Sequence, residues 1–473
     1  MISMNKTIFF LAACSGLLTG GTQAIRGAAP APAPEAGRQQ KPNIVIIYTD
    51  DMGIGDLSCY NSGWVTTPHI DSLAAEGLKF NHYYTSSPVS SPSRVGLTTG
   101  MFPTEWGVNT FLHERKGNAD CEQCDYLDSS APSMARALQA AGYATAHIGK
   151  WHMGGGRDVD DAPQIPAYGF DEYVTTYEGP DPDPLITASN WIWSEKDSIK
   201  RWDRTAYFVD RALDFLSRHK EAPCFVNFWP DDMHDPWIPQ ATYFRDRKSW
   251  TGKDNFTAVL QEYDRQIGRL LNGIRQLGIQ ENTLVIFTSD NGALPTFDAI
   301  RVNGRRGSKN SLFEGGLNMP FIISWPGRIP AGEIDDESVV NAVDLYPSLC
   351  AIAGARPEEG FSYSGEDMSK ALLGIKTQKR TRDMLWDFGR NRFFNKPPQP
   401  HHRSSHLAIR RGDWKLLVNS DGSGLELYDI KKDPNETTDI SGKHPALCSE
   451  LSRKVIEWYV TKRKVRAKTP DGM

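Results

Sequence analysis

Two pairs of adjacent oxygen donors, Asp50-Asp51 and Asp290-Asn291, each directly follow a short apolar run, Asn43 to Tyr48 (NIVIIY) and Thr283 to Thr288. Such runs form buried parallel strands. Neighbouring carboxylates repel one another unless a cation sits between them. Three carboxylates and an amide, with no thiolate or imidazole, make a donor set for Ca2+ or Mg2+. Asp50 alone could cap a helix, and Asp290-Asn291-Gly292 alone could be a turn. Together, each after a strand, they point to a divalent-metal site.

Two clusters add cations and proton carriers. Gly149-Lys150-Trp151-His152 follows the run Ala144 to Ile148, and His234-Asp235-Pro236 follows Cys224 to Trp229. Lys309 lies in Gly307-Ser-Lys-Asn-Ser-Leu-Phe-Glu314-Gly-Gly. Two lysines, two histidines and a hard metal suit a tetrahedral oxyanion such as sulfate or phosphate, with acid/base work beside it. The stretch Arg301-Val-Asn-Gly-Arg305-Arg306-Gly-Ser-Lys309 crowds further cations next to the site. Arg305 and Arg306 are expected to bind an anionic or sulfated sugar, because a guanidinium forks onto a carboxylate or hydroxyl pair. The plainer reading is a solvated charged loop. His113 and Arg157 are weaker candidates of the same kind.

These residues need a frame that gathers strand ends. Strand-like runs alternate with helical patterns at Pro68 to Glu76, Ser133 to Ala141, Arg204 to His219, Phe256 to Leu277 and Val343 to Ala353, and Pro320 to Trp325 is a further strand. This predicts an α/β fold with a large, mostly parallel sheet between helices, binding ligands at the carboxyl ends of its strands. From about residue 376 the pattern changes. His406 to Asn419 and Leu425 to Tyr428 read as antiparallel strands around Ser420-Asp-Gly-Ser, followed by a helix from Pro445 to Thr461. The expected division is a catalytic part over 42–375 and a smaller C-terminal α+β subdomain over 376–473.

Composition narrows the class. With 53 Lys plus Arg against 58 Asp plus Glu, the formal net charge of −5 argues against a nucleic-acid binder. The 39% hydrophobic content supports a large core. After the first 25 positions no apolar run is long enough to span a membrane. The N-terminus reads as a signal peptide over 1–24, with Lys6, an apolar stretch from Ile8 to Gly20 and a small-residue site at Thr22-Gln23-Ala24. Leu11-Ala12-Ala13-Cys14 offers a second reading, a lipobox with lipid on Cys14. Residues 25–41 are a Pro/Ala linker. An exported, periplasmic protein follows, free or lipid-anchored. Cys121-Glu-Gln-Cys124 is a local disulfide or a pair of idle thiols.

The stretch Ser90-Ser91-Pro92-Ser93-Arg94-Val95-Gly96-Leu97-Thr98-Thr99-Gly100 resembles the signature of formylglycine-dependent sulfatases, enzymes of the alkaline-phosphatase-like superfamily. Thr67 to Phe80 resembles the segment before that signature. Asp50-Asp51-Met-Gly, Gly149-Lys150-Trp151-His152, Ser289-Asp290-Asn291-Gly292, Lys309 to Gly316 and Leu427 to Glu436 follow in the family's order, so the likeness covers Asn43 to Tyr459. It implies a bacterial serine-type carbohydrate sulfatase, with Ser90 oxidised to formylglycine by a radical-type maturation enzyme. Asp50, Asp51, Asp290, Asn291 and modified residue 90 are implied as Ca2+ ligands, and Arg94 as the holder of the aldehyde hydrate. Lys150 and Lys309 are implied to bind sulfate, His234 to protonate the leaving oxygen, and His152 to act as the base that releases product. The substrate implied is a sulfated sugar of a host or algal polysaccharide. Asn318 after Leu317, Asp231-Asp232 before His234 and the Met101 to Trp106 stretch depart from the usual pattern. Two alternatives stay open: a metal-dependent phosphatase or phosphonate hydrolase of the same superfamily using unmodified Ser90, and a non-catalytic sulfated-glycan binder with Trp106, Trp151 and Trp237 as stacking platforms.

Overall fold

Strand β1 (Asn43–Thr49) shows why the sheet lies between two layers. Its residues are all buried, and alternate side chains enter different apolar clusters: Ile44, Ile46 and Tyr48 join one, Val45 and Ile47 the other. A strand covered on both faces reads as an unbroken apolar run. The structure is a computed structural model and describes residues 41–60, 63–240, 251–388 and 397–466. The expected signal peptide, the lipobox cysteine and the linker up to residue 40 lie outside these residues.

The described residues contain a nine-stranded sheet and a separate four-stranded one. The large sheet comprises β1, β2 (Leu78–Tyr84), β3 (Ala144–Gly149), β4 (Glu172–Thr175), β5 (Cys224–Trp229), β6 (Thr283–Ser289), β7 (Asn318–Ser324), β8 (Glu333–Asp335) and β9 (Val340–Asn341). Its order is β4-β3-β5-β1-β6-β7-β2-β8, with β9 also pairing β2. The first five strands are mutually parallel, and β7 runs antiparallel to both its neighbours. Thr49 pairs with Ser289 and Gly149 with Trp229, so the carboxyl ends of these strands are level. The mixed, mostly parallel sheet expected from the sequence is present.

Helices Pro68–Ala75, Arg204–Arg218 and Lys253–Gln276 pack on one face through Leu73, Phe208, Phe215, Leu260 and Ile267, while Met134–Ala140 and Leu345–Ala353 cover the other. The segment expected as one helix from Val343 begins instead as a 3-10 turn, Ala342–Asp344, with Asn341 and Asp344 capping each other. Pro347 explains the change, because it has no N–H to return to Val343.

The smaller sheet holds β10 (Met384–Asp387), β11 (Leu407–Arg411), β12 (Trp414–Val418) and β13 (Glu426–Asp429), all antiparallel. The strand expected over His406 to Asn419 is therefore two strands. Gly412, at φ 58°, turns the chain between them. One face of this sheet packs on the final helix, Pro445–Arg466, through Ile409, Leu416, Leu451 and Val455. The other packs Ala408, Leu417 and Tyr428 against Leu312, Phe313 and Leu317. No described helix is long and apolar enough to cross a membrane.

Candidate active site

The level strand ends bring the separated motifs together. Asp50 and Asp51 follow β1, Lys150 and His152 follow β3, Asp231 to His234 follow β5, and Asp290 and Asn291 follow β6. The edge strand β4 adds Glu178. Sharp turns hold several of these residues. Asp51 and His152 have φ of 56° and 50°, left-handed values that cost a non-glycine residue ~1 kcal/mol or more. Gly149 has φ 120°, and a Cβ there would strike the Trp229 carbonyl, so the turn before Lys150 requires glycine.

Carboxylate oxygens of Asp50, Asp51 and Asp290 lie within 4.8 Å of one another, all three residues buried. Asn291 donates from Nδ2 to Asp51 at 2.7 Å, and the Asp51 backbone N–H donates to Asp290 at 3.1 Å. Burial raises the pKa of Asp290 to about 7, with Asp50 adding to the rise against Arg94. Burial acts the same way on Asp50, but Lys150, His234, Arg94 and Lys309 outweigh it and hold this carboxyl well below its usual range. Lys309 and His234 likewise keep Asp51 ionised. Three buried carboxylates thus crowd one spot, one of them with a raised pKa, and the donors are all hard oxygens. Those properties fit a divalent cation such as Ca2+.

Ser90 opens the helix Ser90–Thr99 against this cluster. Its hydroxyl donates to Asp50 Oδ1 at 3.0 Å and lies 3.4 Å from Asn291 Oδ1. No side chain among the described residues caps the helix start, which leaves first-turn N–H groups and the positive end of the dipole for an anion. Arg94, one turn on, is fully buried. It reaches Asp290 at 2.8 Å and the Lys150 carbonyl at 3.1 Å, with the Tyr48 and Trp229 rings alongside.

The expected cations converge from both sides. Lys150 Nζ lies 2.8 Å from Asp50, and Lys309 Nζ 2.6 Å from Asp51 and 3.3 Å from His234 Nε2. The Nδ1 of His234 bonds the Asp235 carbonyl at 2.6 Å, leaving Nε2 on the side of Lys309. His152 Nε2 is 3.0 Å from the Leu112 carbonyl and 3.3 Å from Glu178, whereas its buried Nδ1 has no partner among the described residues. Burial depresses the His152 pKa well below normal, partly offset by Glu178.

Glu178 was not among the expected site residues. It is buried and meets Lys150 at 3.2 Å, His152 at 3.3 Å, Arg157 at 3.2 Å and the Tyr177 hydroxyl at 2.8 Å. Its pKa stays low despite burial, because His152, Lys150 and Arg157 surround it. The short, half-exposed β4 carries no apolar run to mark a strand end, so only the β-α alternation could have located it.

Other candidates part company. Arg301 is fully buried, bonded to Asp56 and the Asp51 carbonyl at 2.9 Å each, and shapes the Asp51 turn. Arg306 is pinned to the C-terminal sheet, 2.7 Å from the Tyr428 hydroxyl and 3.3 Å from Glu426, over the Phe313 ring. Arg305 Nη1 has no hydrogen-bond partner among the described residues. His113 pairs with the adjacent Glu114. Trp151 and Trp237, named as stacking platforms in the glycan-binder alternative, are 1% and 0% exposed, so neither can receive a sugar. Both fill apolar clusters beneath the site. Asp231, unusual before His234, forms ion pairs with Arg201 and Arg204 at 2.8 and 2.9 Å.

Comparison with known proteins adds an independent finding. A family model described as Sulfatase matches residues 42–355, and one described as N-sulphoglucosamine sulphohydrolase, C-terminal, matches 307–460. The chain is 29% identical to an N-acetylgalactosamine-6-O-sulfatase of Bacteroides thetaiotaomicron, over 92% of this chain and 95% of that protein. It is 29% identical to Arylsulfatase A of Homo sapiens, over 91% and 85%. A structure from work on the metabolism of multiple glycosaminoglycans by Bacteroides thetaiotaomicron superposes with TM-score 0.72 at 27% identity, covering 89% of this chain and all, 100%, of the other. Ps i-CgsB in complex with k-i-k-neocarrahexaose gives TM-score 0.72 at 25% identity, over 91% and 98%.

Proposed function

The chain belongs to the sulfatase family and is a sulfuric ester hydrolase, and from that premise we propose that it cleaves a sulfate ester of a sulfated sugar, using Ser90 in its formylglycine form and Ca2+. The observation that carries the reading is the Ser90 hydroxyl on Asp50 within a buried all-oxygen carboxylate cluster, flanked by Lys150 and Lys309. Formylglycine would supply a hydrated aldehyde, with one hydroxyl to attack sulfur and another to help expel the product. Asp50, Asp51, Asp290 and Asn291 would hold Ca2+, which would offset charge on the nucleophile and sulfate. Arg94 supports residue 90 through Asp290 and the Lys150 backbone. Lys150 and Lys309 bind sulfate oxygens, where charge builds during transfer.

The names of the relatives support a sulfated sugar as substrate, from a host or algal polysaccharide. Serine at 90 supports a radical-type maturation enzyme as partner. The reading includes export to the periplasm with residues 1–24 as signal, or a lipid anchor at Cys14, and a division into catalytic (42–375) and C-terminal (376–473) parts. The cluster of Asp50, Asp51 and Asp290 offers oxygens alone, and the neighbouring group of Asp51, His234 and Asp235 holds a single imidazole, which gives little support to a two-metal phosphatase rich in histidine ligands.

His234, with its Nδ1–H held on the Asp235 carbonyl, gives up its Nε2 proton to the departing sugar oxygen when the ring carries both protons. An alkoxide needs that proton far more than a stabilised phenolate does. His234→Ala should therefore reduce kcat on a sulfated sugar by ~10²-fold or more and on 4-nitrophenyl sulfate by much less. Similar losses on both substrates would overturn the assignment.

His152 accepts a proton at Nδ1; its Nε2–H lies on the Leu112 carbonyl, and the Glu178 carboxylate 3.3 Å away raises the imidazole's basicity. Removing that carboxylate lowers the His152 pKa further. Glu178→Gln should shift the acidic limb of the kcat profile to lower pH and reduce the plateau by ~10-fold or more. An unshifted limb would leave Glu178 with a packing role alone.

A further inference from the structure

Beside the Lys309 loop lies a cavity of about 820 Å³, within the ~300–1,000 Å³ range of small-molecule sites. One wall comes from residues 294–308, the other from Gln399, His401 and His402 and from residues 435–437. Of these side chains the site already described uses only Arg301, which shapes the Asp51 turn. Arg306 ties the walls together, bonding the His401 carbonyl at 2.7 Å and the Glu436 carbonyl at 3.3 Å, so its charge is committed. The buried pair of Arg301 with Asp56 is committed as well.

Arg305 is not. Its Nη1 is buried at this cavity with no hydrogen-bond partner among the described residues, and an unmet buried guanidinium N–H carries a desolvation cost that an anion would relieve. His402 Nδ1 accepts the Gly307 N–H at 2.8 Å, which places its proton on Nε2 and makes that nitrogen a donor. Asp298, exposed on the same lining, offers an acceptor for a hydroxyl. A charged donor and a neutral donor beside an acceptor suit a sugar that carries both an anionic group and hydroxyls. Lys309 lies four positions after Arg305, a span of at most ~14 Å, the reach of a short oligosaccharide.

We propose that this cavity is a second anion subsite, where Arg305 and His402 hold the sulfate or carboxylate of a sugar neighbouring the one that loses its sulfate. It rests on the sulfatase reading and extends it, since the enzyme then works on charged oligosaccharides and its C-terminal part helps to select them.

The test is binding of a chondroitin 6-sulfate tetrasaccharide to full-length Ser90→Ala protein in calcium buffer, by calorimetry at fixed salt. Arg305→Gln and His402→Gln, each added to that background, should weaken binding by ~10-fold and ~3-fold or more, the scale of a lost charged and a lost neutral hydrogen bond. Carboxyl-reduced and desulfated tetrasaccharides identify the anion: the form lacking it should bind weakly and be indifferent to Arg305→Gln. The proposal falls if the tetrasaccharide does not bind, or if Arg305→Gln and His402→Gln bind every form like their parent. Turnover of 4-nitrophenyl sulfate by the unsubstituted enzyme tests the sulfatase reading separately.

Discussion

Mass spectrometry of the peptide containing Ser90, from protein made beside a radical-type maturation enzyme, should find that residue two hydrogens lighter than serine, or as the hydrate of that aldehyde. Ser90→Ala should lower kcat by ~10⁵-fold or more, as expected when a covalent nucleophile is removed. The argument starts from what surrounds the hydroxyl. Its two partners are acceptors, Asp50 at 3.0 Å and Asn291 at 3.4 Å. Asp50 is held well below the usual carboxylate range by Lys150 and its neighbours, so it is a feeble base. An unmodified hydroxyl in that setting lacks the activation a serine nucleophile requires. An aldehyde hydrate needs less help, because its hydroxyls are more acidic and a cation beside them favours ionisation. Ser91→Ala, one position along the same helix, is a useful comparison, since its hydroxyl supports the Leu112 N–H at 2.8 Å and not the cluster. Full activity in protein whose residue 90 is intact serine would overturn the prediction.

Much of this centre was legible in the sequence because parallel strands turn local order into spatial convergence. Asp50-Asp51 and Asp290-Asn291 are about 240 residues apart, yet Asp51 and Asn291 bond each other because β1 and β6 pair in register up to Thr49 and Ser289. Apolar strands that end in polar residues announce such a site. Glu178 escaped notice because its strand is short and half-exposed. Arg305 and Arg306 could not be separated by composition. They are consecutive, but one is anchored by Glu426 and Tyr428, more than a hundred residues away, and that contact depends on how β13 docks. The hairpin at Gly412 was hidden for another reason. A tight turn interrupts the polar–apolar alternation too briefly to register.

Calcium dependence offers the other large effect. Chelation should abolish turnover by unsubstituted protein, and Ca2+ should restore it. The melting temperature should rise with Ca2+ concentration, because a ligand that binds only the folded state stabilises it by ~2.7 kcal/mol at a hundred times its dissociation constant. That readout does not depend on catalysis. Asp51→Asn and Asp290→Asn should each weaken Ca2+ binding by ~10²-fold or more, since affinity follows the number of charged oxygen ligands. The two should differ in stability. At a pH well above its raised pKa of about 7, Asp290 is the charged 2.8 Å partner of fully buried Arg94, and losing that charge leaves the guanidinium poorly matched, at a cost of ~3 kcal/mol or more. Asp51 faces Lys309, which is less enclosed than Arg94 and can turn toward solvent. Asp290→Asn should therefore melt well below Asp51→Asn in chelator, although the two lose calcium alike. Zinc-loaded protein that is fully active without calcium would refute the metal assignment. Equal melting temperatures would refute the role given to Arg94.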